Sequence, residues 1–266
     1  MKRIFLLLVL VLGLGGIVSA YENTYAVIIG VADYKNFGPD DGDLTYTASD
    51  ATRFRDFLMS EKGGKVPASN IILLTDAQAS KENIVNKSKA LFSKAQKNDR
   101  VIFYFSGHGN RGCFFPYDSG DIGNCLLYFN EIKAIFRCAK CNTKLLFADA
   151  CRSGSMKSGL GTSDVDEEKM EEGRKASENM NIAVMMSSQG DETSLESSQL
   201  QQGLFTYYLM EGLGGSANRD GNKFVTIQEL YYYVYHQVQD HAAKLHHQQT
   251  PALFGKFDLR LIVANI

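Results

Sequence analysis

The chain has 266 residues, 44% hydrophobic and 22% charged, with 28 Lys and Arg against 30 Asp and Glu for a formal net charge of -2. That balance excludes a disordered chain, a collagenous fibre and a multi-span membrane protein, and it implies no general attraction to nucleic acid. The length suits one catalytic-size domain rather than a string of modules.

The first segment places Lys2 and Arg3 before an apolar run over residues 4–18, followed by Ser19 and Ala20. A positive start, an apolar middle and small residues at the cleavage spacing describe a secretory signal peptide over 1–20. The run is short for a membrane span and has glycines inside it, so an uncleaved anchor is the weaker reading. The expected product, residues 21–266, is exported, secreted or periplasmic, with no membrane association after removal of the leader.

Apolar runs rich in β-branched residues follow at 25–31, 70–74, 100–105, 144–148 and 182–186. Strands apolar on both faces belong to a parallel sheet covered by helices. Residues 48–60 and 80–95 have helical spacing, and Ser80 is placed to cap the second of these helices. The βαβα order predicts an α/β sandwich, whose ligands gather at the carboxyl ends of the strands.

Two of those ends carry reactive chemistry. The third strand runs into Ser106-Gly-His-Gly109 and the fourth into Asp149-Ala-Cys-Arg-Ser-Gly154. If the two strands are neighbours, His108 and Cys151 emerge side by side, as a thiol nucleophile and its acid/base partner must. The glycines flanking His108 let a substrate approach the backbone closely.

Residues 103–109 resemble the histidine motif, and residues 146–154 the cysteine motif, of caspase-like peptidases, with closest similarity to metacaspases and their bacterial relatives. Residues 25–31, 44–51, 187–194 and 203–209 extend the resemblance over most of residues 21–266. It implies a three-layer sandwich with a mostly parallel central sheet of about six strands. It divides residues 21–266 into a large-subunit-like part (21–155), an exposed linker (156–180) and a small-subunit-like part (181–266). It also implies a Cys151/His108 dyad, an oxyanion site made by the backbone N–H groups of Gly109 and Cys151, and neither metal nor organic cofactor. Asp149, with the residues matching Asp50 and Ser106, would form a pocket for Arg or Lys. The implied partners are proteins or peptides with basic residues. Caspases pair through their last strand while metacaspases are typically monomeric, so no single oligomeric state follows.

The remaining features are weaker. Five cysteines are present, at 113, 125, 138, 141 and 151. In an exported chain the first four could form two disulfides, in any of three pairings. Cys138 and Cys141 have redox or zinc spacing, but nothing completes a zinc set and the strand follows the pair instead of preceding it. The resemblance to metacaspases implies calcium ligands after the histidine strand, where Asp118 and Asp121 lie but Asn130 stands in place of a usual acid; separately, residues 218–229 have EF-hand-like spacing with Lys223 where the turn demands Gly. Thr226 and Glu229 read better as a capping box for the tyrosine-rich helix 227–245. The histidines near the end of that helix have no carboxylate set beside them, and a last strand is expected through residues 257–263. Lys157, Lys169, Arg174 and Lys175 in the linker suit self-cleavage by a basic-specific enzyme. The competing functions are a catalytically silent caspase-fold binding protein and a thiol-disulfide oxidoreductase acting through Cys138 and Cys141.

Overall fold

The computed structural model describes residues 21–38, 42–110, 112–120, 126–150, 181–189 and 192–266. The leader 1–20, the linker 156–180 and Cys151 lie outside the described residues. In chain order the elements are β1 (Thr24–Gly30), α1 (Thr47–Met59), β2 (Ile71–Thr75), α2 (Lys81–Phe92), β3 (Arg100–Ser106), β4 (Gly109–Asn110), β5 (Cys113–Phe114), β6 (Leu127–Tyr128), α3 (Phe129–Arg137) and β7 (Thr143–Asp149). There follow β8 (Ile182–Met186), β9 (Glu196–Ser197), β10 (Gln202–Gly203), α4 (Leu204–Glu211), β11 (Phe224–Thr226), α5 (Ile227–Lys244), β12 (Ala252–Phe254) and β13 (Ile262–Asn265).

Six strands form one sheet in the order β12-β8-β7-β3-β1-β2, parallel throughout except for antiparallel β12. Alternation along each strand sends successive side chains to opposite faces. Val27, Ile29, Phe103 and Leu146 therefore join one buried cluster with Ile84, Phe92 and Phe136 of α2 and α3. Ile28, Tyr104 and Phe147 join another with Phe54 of α1, Phe205 of α4 and Val234 of α5. Both faces are covered, which is why the strand sequences read as continuous apolar runs instead of alternating ones. The Phe54 ring stacks on Tyr104 at 4.5 Å between centroids.

The predicted caps are present. Ser80 Oγ accepts from the Asn83 N–H, and Thr226 with Glu229 forms the capping box that starts α5. The last part of the chain differs from expectation. The sixth strand of the sheet is β12, and the predicted strand 257–263 is replaced by β13, which pairs with β11 in a separate two-stranded ribbon. Only three residues, with Pro251 before them, pair at the sheet edge, too short a run for hydrophobic pattern to reveal. Among the described residues no helix is long and apolar enough to cross a membrane.

Candidate active site

β3 and β7 are parallel neighbours, with Ser106 in register with Asp149. Both motifs consequently leave the sheet at the same edge, and the Gly107 N–H donates to the Asp149 carbonyl at 3.1 Å. Beyond Asp149 the chain is fixed for one more residue. The Ala150 N–H donates to Ser187 Oγ at 3.1 Å, tying the end of β7 to the end of β8. Cys151 is the next residue and lies outside the described residues, as does its backbone N–H.

His108 is held on three sides. Its backbone N–H donates to the Tyr34 hydroxyl at 2.7 Å, and its ring lies against the Tyr34 ring at 5.1 Å. Its Nε2 meets the Gly42 carbonyl at 2.5 Å. A carbonyl can only accept, so Nε2 carries the proton and Nδ1 keeps its lone pair. Burial pushes the imidazole pKa down, partly offset by the Gly42 bond and the nearby carboxylates of Glu196 and Asp43. A Cβ on Gly107 would lie 2.8 Å from the Tyr34 hydroxyl, so this close approach requires glycine. Gly109 is buried and opens β4, where it faces Phe114.

Beside His108 a small pocket is lined by Thr47, Asp50, Ser106, Asp149, Glu196 and Gly203, among others. Asp50 is 0% and Asp149 6% exposed. Each accepts hydrogen bonds inside the protein. Asp50 Oδ2 accepts from the Gly203 N–H at 2.8 Å, and Asp149 Oδ2 accepts from the Thr206 N–H at 3.1 Å and the Thr206 hydroxyl at 2.8 Å. The Tyr104 hydroxyl in turn donates to Thr206 Oγ1 at 2.6 Å, since that oxygen already gives its proton to Asp149. Among the described residues, by contrast, Asp50 Oδ1 and Ser106 Oγ are buried with no hydrogen-bond partner.

The electrostatics follow from this burial. Loss of hydration, and then the charge of Asp149, raises the Asp50 pKa to about 8. Burial raises Asp149 to about 6, with the two Thr206 bonds pulling the other way. Arg53 is exposed and turns its guanidinium to Gln202 Oε1 at 3.0 Å. Among the described residues the pocket is thus an array of buried acceptors whose nearest cation, Arg53, only partly offsets the charge of Asp50. A cation with several N–H donors fits it chemically.

The caspase domain profile matches residues 23–259. The chain belongs to the caspase domain family. Membership places it among cysteine peptidases in general. A probable protease from a Desulfuromonadales bacterium is 29% identical over 152 residues, covering 48% of this chain and 18% of the relative. The chain therefore spans under a fifth of the length of that curated relative. Two solved structures share the fold. Caspase-1 from Spodoptera frugiperda has a TM-score of 0.62 at 14% identity, covering 92% of this chain and 90% of its own. A protein from Geobacter sulfurreducens has a TM-score of 0.59 at 14% identity, covering 89% and 94% respectively.

Within this caspase domain the sequence-predicted residues Asp50, Ser106, His108, Gly109 and Asp149 gather at one sheet edge. Asp50 is not the solvated helix-start carboxylate that its position would ordinarily suggest. Sequence reasoning missed Tyr34, Gly42 and Glu196, and it met Gly203 and Thr206 only as parts of a family-like segment. A Cβ on Gly203 would lie 2.4 Å from Asp149 Oδ2 and 2.8 Å from Asp50 Oδ2, so both carboxylates close on its bare Cα.

The secondary candidates are not assembled here. Asp118 Oδ1 accepts from the Lys81 N–H at the start of α2, and Asp121 lies outside the described residues. In the loop 218–229, Asn218, Asp220 and Asn222 turn their oxygens onto the loop's own amides. Cys138 and Cys141 are unpaired thiols after α3. Of the two structural alternatives for the pair, a disulfide or plain thiols, the structure has the second. Burial raises the Cys141 pKa, the opposite of what a reactive thiolate needs.

Proposed function

We propose that this caspase domain is an exported cysteine endopeptidase that cleaves after Arg or Lys, with Cys151 as nucleophile and His108 as acid/base partner. The observation that carries the specificity is the pair of buried carboxylates, Asp50 and Asp149, lining one pocket with His108, where Asp50 Oδ1 and Ser106 Oγ have no partner among the described residues. Burying two carboxylates together is costly unless a cation joins them. A guanidinium or ammonium group of the substrate supplies that cation and leaves the scissile carbonyl at the edge where His108 stands.

In this reading His108 Nδ1, the ring nitrogen left unprotonated, takes the thiol proton of Cys151, and the thiolate attacks the carbonyl carbon. The backbone N–H groups of Gly109 and Cys151 stabilise the tetrahedral oxyanion. The imidazolium then gives its proton to the leaving amine, and water releases the acyl group by the reverse sequence. No cofactor takes part, and the partners are peptides rather than nucleic acid or membrane. The linker 156–180, with its four basic residues, is itself a candidate substrate.

The test compares residues 21–266 with its Cys151→Ala and His108→Ala variants on fluorogenic peptides ending in Arg and in Asp. Cleavage after Arg that disappears in both variants is the expected result. Cleavage after Asp, or Arg cleavage that survives Cys151→Ala, would overturn the reading. SDS gels of the same samples test self-cleavage, with linker fragments expected only where Cys151 is present.

A further inference from the structure

Glu196 lies in the pocket wall, yet it binds its neighbours differently from Asp50 and Asp149. Both of its carboxylate oxygens accept from backbone: Oε1 from the Tyr46 N–H at 2.7 Å and Oε2 from the Thr45 N–H at 3.0 Å. Tyr46 is the N-cap of α1 and makes no side-chain capping bond of its own, so a carboxylate distant in sequence supplies the anion that the helix start favours. The segment it grips is the one whose Gly42 carbonyl holds His108 Nε2. The same segment is joined to the exit of β1 by Leu44 N–H to the Ala32 carbonyl and by Tyr34 N–H to Asp43 Oδ1.

The other end of the linkage reaches the pocket floor. Across the β9–β10 hairpin Glu196 pairs with Gly203, whose N–H holds Asp50 and whose Cα both pocket carboxylates close upon. The Leu204 N–H, at the start of α4, donates to the Leu195 carbonyl beside Glu196. One two-residue hairpin therefore touches the carboxylates that receive a substrate side chain and the segment that orients the histidine. A helix cap alone does not call for this arrangement. A local Ser or Asn at position 46 would cap α1 without adding a third carboxylate to an opening that already buries two.

We infer that Glu196 is a positioning residue for His108: through Thr45 and Tyr46 it holds the Gly42 carbonyl on Nε2, and through the β9–β10 hairpin it ties that hold to the specificity pocket. The inference rests on the reading of His108 as the acid/base partner. Glu196 touches neither substrate nor nucleophile in this role. Removing it disturbs the histidine's tautomer and placement, and with them kcat, before it disturbs binding.

Glu196→Gln keeps the side-chain volume but has one acceptor oxygen for two N–H donors, and Glu196→Ala has none. The expected result for Glu196→Gln is a fall in kcat of about tenfold or more with KM for an arginine peptide within about threefold, at unchanged circular dichroism. A rise in KM with kcat unchanged would overturn the inference and make Glu196 a pocket-lining group only. The second readout needs no activity: 15N NMR of the histidine ring nitrogens in the full chain, assigned through His108→Gln. Wild type should show His108 protonated at Nε2, with a mixed-tautomer signal in Glu196→Gln. Identical His108 signals in both proteins would contradict the positioning role even if peptide cleavage were never detected. Loss of peptide cleavage in wild type with the tautomer shift intact would instead count against the peptidase reading alone.

Discussion

Strand β3 has buried charge near both of its ends, and the two ends treat it in opposite ways. At the amino end Arg100 is 2% exposed, with its guanidinium donating to Thr24 Oγ1 and the Val263 carbonyl and lying 3.8 Å from the centre of the Tyr21 ring. At the carboxyl end Ser106 is in register with Asp149 and shares a pocket with Asp50, and polar atoms there have no partner among the described residues. Burial lowers the Arg100 pKa, but a guanidinium keeps its proton in proteins, so it serves as a fixed fastener between the first strand and the last. The carboxylates are pushed up into the physiological range and can change state. A buried charge whose neighbours all answer it holds the fold, and one left partly unanswered is held open for a ligand.

Asp149→Asn removes one charge from the pocket while keeping its shape, and kcat/KM for an arginine peptide should fall by about 2–4 kcal/mol of transition-state binding, roughly 30- to 1000-fold. Equal loss on a peptide with a neutral side chain at that position would assign Asp149 to folding instead. At the other end Arg100→Met should lower stability by about 2–4 kcal/mol, since the Val263 carbonyl and Thr24 hydroxyl lose their donor. Thermal melts should show a drop of about 5–10 °C, with kcat per folded molecule unchanged.

The smallest effect has the most telling sign. A carboxyl whose folded pKa is raised stabilises the fold below its unfolded pKa, and that contribution is lost as pH rises through the folded value. For Asp50 the window runs from the ordinary carboxyl value of 3.8 to about 8. Asp50→Asn should therefore melt a few degrees higher than wild type at pH 8 and show little difference at pH 4, while losing arginine cleavage. A variant less stable at pH 8 would show that Asp50 is a structural group like Arg100.

Much of this was legible in the sequence, for identifiable reasons. Continuous apolar runs revealed the five parallel strands because burial on both faces leaves no alternation to obscure them. Ser106, His108 and Asp149 stood out because glycines and polar residues interrupt such runs only where the strand stops. β12 was hidden because a three-residue edge strand has no period. Glu196, Thr206, Tyr34 and Gly42 were hidden because their roles are contacts across the fold, made by a two-residue hairpin, a helix start, a ring and a carbonyl. Arg100 looked like an ordinary strand-start cation, and nothing in its neighbourhood in the chain announces Val263 or Tyr21 as its company.

If the pocket carboxylates are held ready for a cation that ionises them, binding of that cation must release protons. Calorimetric titration of the Cys151→Ala protein with an arginine-ended peptide at pH 7, in buffers of differing ionisation enthalpy, counts them. Release of up to about one proton per peptide bound is expected, falling toward zero in Asp50→Asn. Tight binding with no proton release in either protein, or binding of the aspartate-ended peptide in preference, would contradict it.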